Sequence, residues 1–237
     1  GITIFFVFVT VLLTFIVSMT LALILNTKIV GARFLRSIMM IPWVIPTVIA
    51  GLLWAWIYAN PYGLLQYLVS IFSGGKITGF GILNNQSTAL WGIIIAALWK
   101  QIPLMALLLL SGMQSIPDDM LEAAKIDGAT KWQTLTRVTI PNIMPSITIC
   151  LFLTITNGFK LFDQNLALTN GQPFEQLKDG SVIKTTEMLA LNIYNTFYGQ
   201  SLTGKGVAQA KAVIFFILVA GISIIQLKAT RSKEVQQ

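Results

Sequence analysis

The chain has no histidine and one cysteine, Cys150, in 237 residues. Without imidazole, Ser-His and Cys-His nucleophile systems and the usual zinc sites are excluded. A lone thiol cannot close an internal disulfide, and Cys150 lies inside an apolar run, where it reads as a small buried residue. Charge is scarce as well: Asp, Glu, Lys and Arg make up 11% of the chain, against ~25% in a soluble domain. Hydrophobic residues take 55%, and they come in runs. A helix of roughly 20 apolar residues crosses the ~30 Å hydrocarbon layer. Segments 2–25, 38–57, 89–112, 142–162 and 208–227 meet that length. The expected fold is an all-α integral membrane protein with a core of five transmembrane helices, one membrane domain over residues 1–237. The first span has no basic segment before it and no small-residue cleavage site after it, so it is not a signal peptide.

The net charge of +7 could suggest nucleic acid, but its distribution points to membrane topology. Nine basic residues lie in one set of connections: Lys28, Arg33 and Arg36; Lys125, Lys131 and Arg137; Lys228, Arg231 and Lys233. The alternate set holds four, Lys76, Lys178, Lys184 and Lys205, offset by Glu175, Asp179 and Glu187. Cytoplasmic loops carry the Lys/Arg excess. The connection containing Glu122 and the C-terminus are therefore expected inside the cell, with Gly1 outside. Since the chain opens at a span edge on Gly rather than Met, a sixth helix is expected upstream.

Pro42 and Pro46 should kink the second span, since proline removes a helix hydrogen bond. Trp54, Trp56 and Tyr58 lie near its outer end, as an aromatic belt does. After a turn at Asn60-Pro61-Tyr62-Gly63, Leu64, Leu65, Leu68, Ile71 and Phe72 recur at helical spacing and predict a short surface helix ended by Gly74-Gly75.

One stretch, within the connection 113–141, is too polar for the bilayer around it. Ser115-Ile116-Pro117-Asp118-Asp119 is a helix start, with proline early and acids at the positive end of the dipole. Asp127-Gly128 is its stop, because glycine tolerates the left-handed cap. A basic second half, with Lys131 and Arg137, runs to Pro141. A short helix, turn and short helix between two spans is marginal alone, so a partner should hold it.

Glu122-Ala123-Ala124, three residues, Gly128, then eleven residues to Ile140 and Pro141 resembles the cytoplasmic signature of permease subunits in binding-protein-dependent ABC importers. Ile140 stands where leucine is commoner. In that family the loop inserts into a cleft of an ATPase subunit. The resemblance therefore implies that Glu122, Ala123, Ala124, Asp127, Gly128, Ile140 and Pro141 couple this chain to an ATPase dimer, which binds the ATP and magnesium. It further implies a second homologous permease, an extracytoplasmic solute-binding protein and a bacterial or archaeal inner-membrane location. The chain itself would be no enzyme and would hold no metal or cofactor.

Polar groups inside a span are functional candidates by default. Thr154, Asn157, Gly158 and Leu161 follow i, i+3, i+4, i+7 and so share one helical face, which Asn165 would extend. Trp99-Lys100-Gln101-Ile102-Pro103, in the antiparallel span three, falls at similar depth, and Pro103 should bend the helix there. The two polar zones can face one cavity. In the maltose-type carbohydrate permeases that the chain resembles, sugar contacts come from these two helices. By position they fall on Gln101, Leu104, Thr154, Asn157, Gly158 and Leu161, with Lys100 beside them. Amide side chains suit hydroxyl recognition because each donates and accepts; the alternative is that such residues glue helices together. Lys160 has Asp163 as a local partner or snorkels to the surface.

Leu168-Thr169-Asn170-Gly171-Gln172-Pro173 resembles an outer-loop motif of the carbohydrate subgroup, with Gln172 in place of a second glycine. Residues 174–184 look longer than usual, so contact with the external binding protein should be altered there. The run 199–206 nearly spells a phosphate-binding loop, but Gly206 replaces the Ser/Thr that would hold magnesium and no strand precedes it. The sequence predicts a permease for a sugar, oligosaccharide or glycoside working by alternating access. Import of an amino acid or peptide by the same class of machine, and an ATP-independent channel or carrier, are the alternatives.

Overall fold

Small residues at helical spacing decide how the first helix packs. In the computed structural model, which describes residues 1–27, 31–76, 79, 81–176, 180–199 and 203–231, helix α1 spans Ile2–Leu25. It buries Thr3, Val7, Thr10, Thr14, Ser18, Ala22 and Leu25 along one face. Small side chains there let neighbouring backbones approach closely. The Thr10 hydroxyl donates back to the Phe6 carbonyl at 2.8 Å, and Ser18 reaches across to the Ile102 carbonyl at 3.4 Å. Lys28, Lys178, Asp179, Lys233, residues 200–202 and the Arg231 side chain lie outside the described residues.

The second apolar segment is divided. Helices α2 (Ala32–Met39) and α3 (Ile41–Val44) lead to Ile45 and Pro46, both extended, and α4 (Thr47–Ile57) restarts at an angle of 93°. The expected kink is a full break, because Pro46 has no N–H to continue the ladder. Helix α5 (Leu64–Phe72) follows, with Tyr67, Ile71 and Phe72 exposed. Helix α6 (Gln86–Gln114) then runs unbroken for 29 residues, through Pro103.

The polar connection folds as α7 (Asp118–Ile126), α8 (Lys131–Thr134), a π-helical stretch at Leu135–Thr139 and α9 (Ile140–Asn142). Helix α10 (Met144–Phe159) leaves this group at 71°. Its 16 residues measure roughly 24 Å at ~1.5 Å each, less than the hydrocarbon thickness. Helix α11 (Asp163–Leu168) packs beside α4, and strands β1 (Phe174–Gln176) and β2 (Val182–Lys184) form an antiparallel hairpin over the segment expected to be long. Helices α12 (Leu189–Tyr198) and α13 (Gly204–Arg231) complete the chain.

Among the described residues three helices are long and apolar enough to cross a membrane, α1, α6 and α13, and the count reaches five if each bent pair is one span. The core centres on α1, α6 and α10 and has two clusters. One gathers Phe6, Ile93, Ile94, Phe159 and Met188; the other gathers Ala22, Met105, Leu109, Ile143 and Cys150.

Candidate functional site

Between the broken α3–α4 segment, α6 and the end of α10 lies a cavity of about 410 Å³. Helix α6 contributes Lys100, Gln101 and Leu104; α10 contributes Asn157, and the chain just beyond it Lys160 and Leu161. Trp43 and Thr47 enter from either side of the break, and Asp163 and Gln164 from α11. Five of the seven expected path residues, Lys100, Gln101, Leu104, Asn157 and Leu161, therefore share one space.

Thr154 and Gly158 do not. Thr154 donates to the Cys150 carbonyl at 2.8 Å and sits in a small packing gap against Val11, Thr14 and Ser18 of α1. A Cβ on Gly158 would stand 3.2 Å from the Val7 side chain. Both positions serve the contact of α10 with α1. Asn165 is displaced for another reason: α10 ends at Phe159, so the helical face does not continue to it, and it lies fully buried.

The cavity's polar groups are unevenly satisfied. Lys100 Nζ donates to the carbonyls of Trp43, at 3.2 Å, and of Ile45. Gln164, 1% exposed, donates to the Ala96 carbonyl at 3.4 Å. Gln101 Oε1 is buried, and no donor among the described residues reaches it. A buried acceptor without a donor is costly, so this oxygen suits a hydroxyl brought by a solute. Lys160 and Asp163 face the same space but form no ion pair among the described residues, contrary to expectation; Lys184 and Glu187, elsewhere, pair at 3.4 Å. Trp43, Thr47 and Gln164 were not legible as lining. Pro46 was the available signal, since a break exposes what flanks it.

Outside the cavity lining, Glu187 is a hub. Burial alone would raise its carboxyl, but hydrogen bonds from Asn192 and Asn195 and the Lys184 ammonium together hold it below the ordinary carboxylate value. Lys211 of α13 donates to Asn192 Oδ1 at 2.8 Å and to Thr196 at 2.9 Å, joining α12 to α13.

The polar connection forms a knob. No residue of α7 is buried; Glu122, Ala123, Asp127 and Gly128 are exposed and Ala124 half-buried. Gly128 has φ +75°, its N–H bonds the Lys125 carbonyl at 3.1 Å, and that of Ala129 bonds the Ala124 carbonyl at 3.0 Å. This pairing closes a helix C-terminus around a left-handed residue. Thr130 and Gln133 form a reciprocal capping box, for which Thr-x-x-Gln is the signal in the sequence. Met120, Ile126 and Trp132 stand exposed on the knob. Ile140 and Pro141 lie at its root, half-buried, where Ile140 packs on the cluster of Ile143 and Met113.

Residues 14–231 match the family model described as the binding-protein-dependent transport system inner membrane component. The chain belongs to this family. The permease is 37% identical over 221 residues to a probable starch degradation products transport system permease protein of Thermoanaerobacterium thermosulfurigenes, covering 93% of this chain and 70% of that one. It is 35% identical over 230 residues to the trehalose/maltose transport system permease protein of Thermococcus litoralis, covering 97% and 73%. The maltose/maltodextrin permease of Escherichia coli K12 is 30% identical over 233 residues, 98% of this chain and 45% of that longer protein. The fold of the present chain is similar to that of a chain in the crystal structure of a bacterial ABC transporter involved in the import of the acidic polysaccharide alginate, with TM-score 0.80, 21% identity and coverage of 97% and 77%. The permease is thus an inner-membrane transport component, not an enzyme.

Proposed function

We propose that this permease carries a sugar, oligosaccharide or glycoside through the membrane by alternating access. The observation that carries the reading is the amide-lined cavity at the break, where Gln101 offers an unpartnered acceptor beside Asn157 and Lys100. Amides and an ammonium match hydroxyl groups, which donate and accept, and about 410 Å³ falls in the ~300–1,000 Å³ range of small-molecule sites. The transport systems named for the similar relatives handle starch products, trehalose and maltose, which supports the same solute class.

The knob Asp118–Ile126 with its root at Ile140 and Pro141 is the ATPase-coupling element in this reading. Its exposed apolar residues need cover, and Ile116, next to its start, is buried in the same cluster as Met105 of α6. Five spans, a cytoplasmic knob and C-terminus, a second permease beside this one and an external binding protein above the mouth complete the assembly. ATP and magnesium belong to the ATPase subunits. Amino-acid or peptide import has no such support from the named relatives.

Calorimetry of the cognate binding protein against neutral saccharides, amino acids and short peptides tests the solute class. Binding of saccharides alone supports the reading; binding of amino acids or peptides alone overturns it.

A further inference from the structure

Lys100 does something that solute recognition alone does not explain. Its two backbone acceptors, Trp43 and Ile45, are among the last carbonyls before the 93° break at Pro46. Where no water reaches, carbonyls released by a broken helix must find a donor, and here a side chain from another helix supplies it.

The two arms of the broken segment are held unequally. Helix α4 is clamped: a Cβ on Gly51 would stand 2.7 Å from the Ala167 Cβ of α11, so the two helices are in close contact. Helices α2 and α3 bury none of their residues. Besides the packing of Met39 on the second core cluster and of α3 on α6, two cationic ties hold that arm, Arg36 Nη2 to the Leu25 carbonyl at 3.1 Å and Lys100 to the break itself. Trp43 and Thr47, on either side of the break, both line the cavity with Lys100. The shape of that wall and the angle of the arm therefore depend on the same ammonium.

We propose that Lys100 is a positioning residue that pins the broken span to α6 and links cavity occupancy to the angle of the α2–α3 arm. An ammonium has three N–H donors. Two are engaged by Trp43 and Ile45, and the third remains for a solute oxygen in the cavity. A solute accepting that bond takes it from the nitrogen that holds the hinge, so filling the cavity and setting the arm become one event. The kinetic part of this inference rests on the transport reading; the hinge part does not.

The complete transporter, reconstituted in liposomes with Cys150→Ser in this chain, tests it by spin-label distances between Leu35→Cys and Leu52→Cys, both exposed sites on the two arms. Lys100→Met should broaden that distance distribution. It should also lower maximal uptake about tenfold, and because a solute hydrogen bond leaves with the ammonium, KM should rise by up to about tenfold; the fall in maximal rate is the mark of lost positioning. Lys100→Arg, which keeps a cationic donor, should preserve both readouts. An unbroadened distribution in Lys100→Met overturns the proposal. So does a KM raised about tenfold at unchanged maximal rate, which marks a solute ligand only. If Lys100→Met fails to insert, Lys100→Arg decides: a wild-type distribution supports the hinge and a broadened one overturns it. Wild-type transporter that takes up no carbohydrate defeats the solute reading, while the distances still report on the hinge.

Discussion

At the scale of single residues, two neighbours on α10 have different tasks. Asn157 lines the cavity, whereas Thr154, one turn earlier, donates within its own helix and packs on α1. Replacing Asn157 with Ala removes a hydrogen-bonding amide and should raise the solute KM about tenfold, as loss of ~1.4 kcal/mol of binding does. Thr154→Val, nearly the same shape, should change it less than about twofold. Uptake kinetics in vesicles separate the two; equal effects would remove Asn157 from the site. Glu187 gives a pH signature. Its carboxyl titrates below the ordinary value when folded, so its stabilising contribution is complete above that ordinary value and is lost as pH falls through the lower folded one. Thermal unfolding in detergent should show this acid-side loss in the wild type, and Glu187→Gln should flatten it.

At the scale of elements, the α7 knob was readable because capping chemistry is local. Asp118 and Asp119 at its start and Asp127-Gly128 at its stop mark it without any tertiary information. Gly128→Asp places a side chain at φ +75°, where L residues cost about 1 kcal/mol or more, and adds a charge to the exposed turn. Pull-down with the ATPase subunit should fall at least about tenfold, with membrane insertion unchanged; full retention of the ATPase would remove the turn from the contact. The cavity was half legible. Spacing along α10 placed Asn157 but also recruited Thr154 and Gly158, because a helical face in sequence does not reveal which neighbour covers it. The stripe Thr10, Thr14 and Ser18 belonged to α1, and that helix claimed the face. Asn165 was lost at the end of α10, where the helix stops at Phe159 although its cap, Lys160, is neither proline nor glycine. Pro42 and Pro46 signalled a kink, but the carbonyls of Trp43 and Ile45 at the break are met by Lys100 from a segment more than 50 residues away, which local sequence does not encode.

At the scale of the molecule, α6 joins the two functional regions. Lys100, Gln101 and Leu104 lie on the cavity, and Gln114 closes the helix immediately before the knob. Those points are ~21 Å apart on one continuous helix. A rod of that kind can carry a movement of the knob to the cavity wall, while α1 and α10 brace it through the two clusters of the core. On the proposed function the permease is a transmitter, in which force applied at exposed residues of α7 would alter a cavity built around a broken span. Saccharide uptake into proteoliposomes that contain this chain with and without its ATPase, companion permease and binding protein tests that claim most directly. Uptake should require ATP and every partner, and should vanish with Gly128→Asp while the permease stays in the membrane. Uptake by the chain alone, or at an equal rate without ATP, would contradict it.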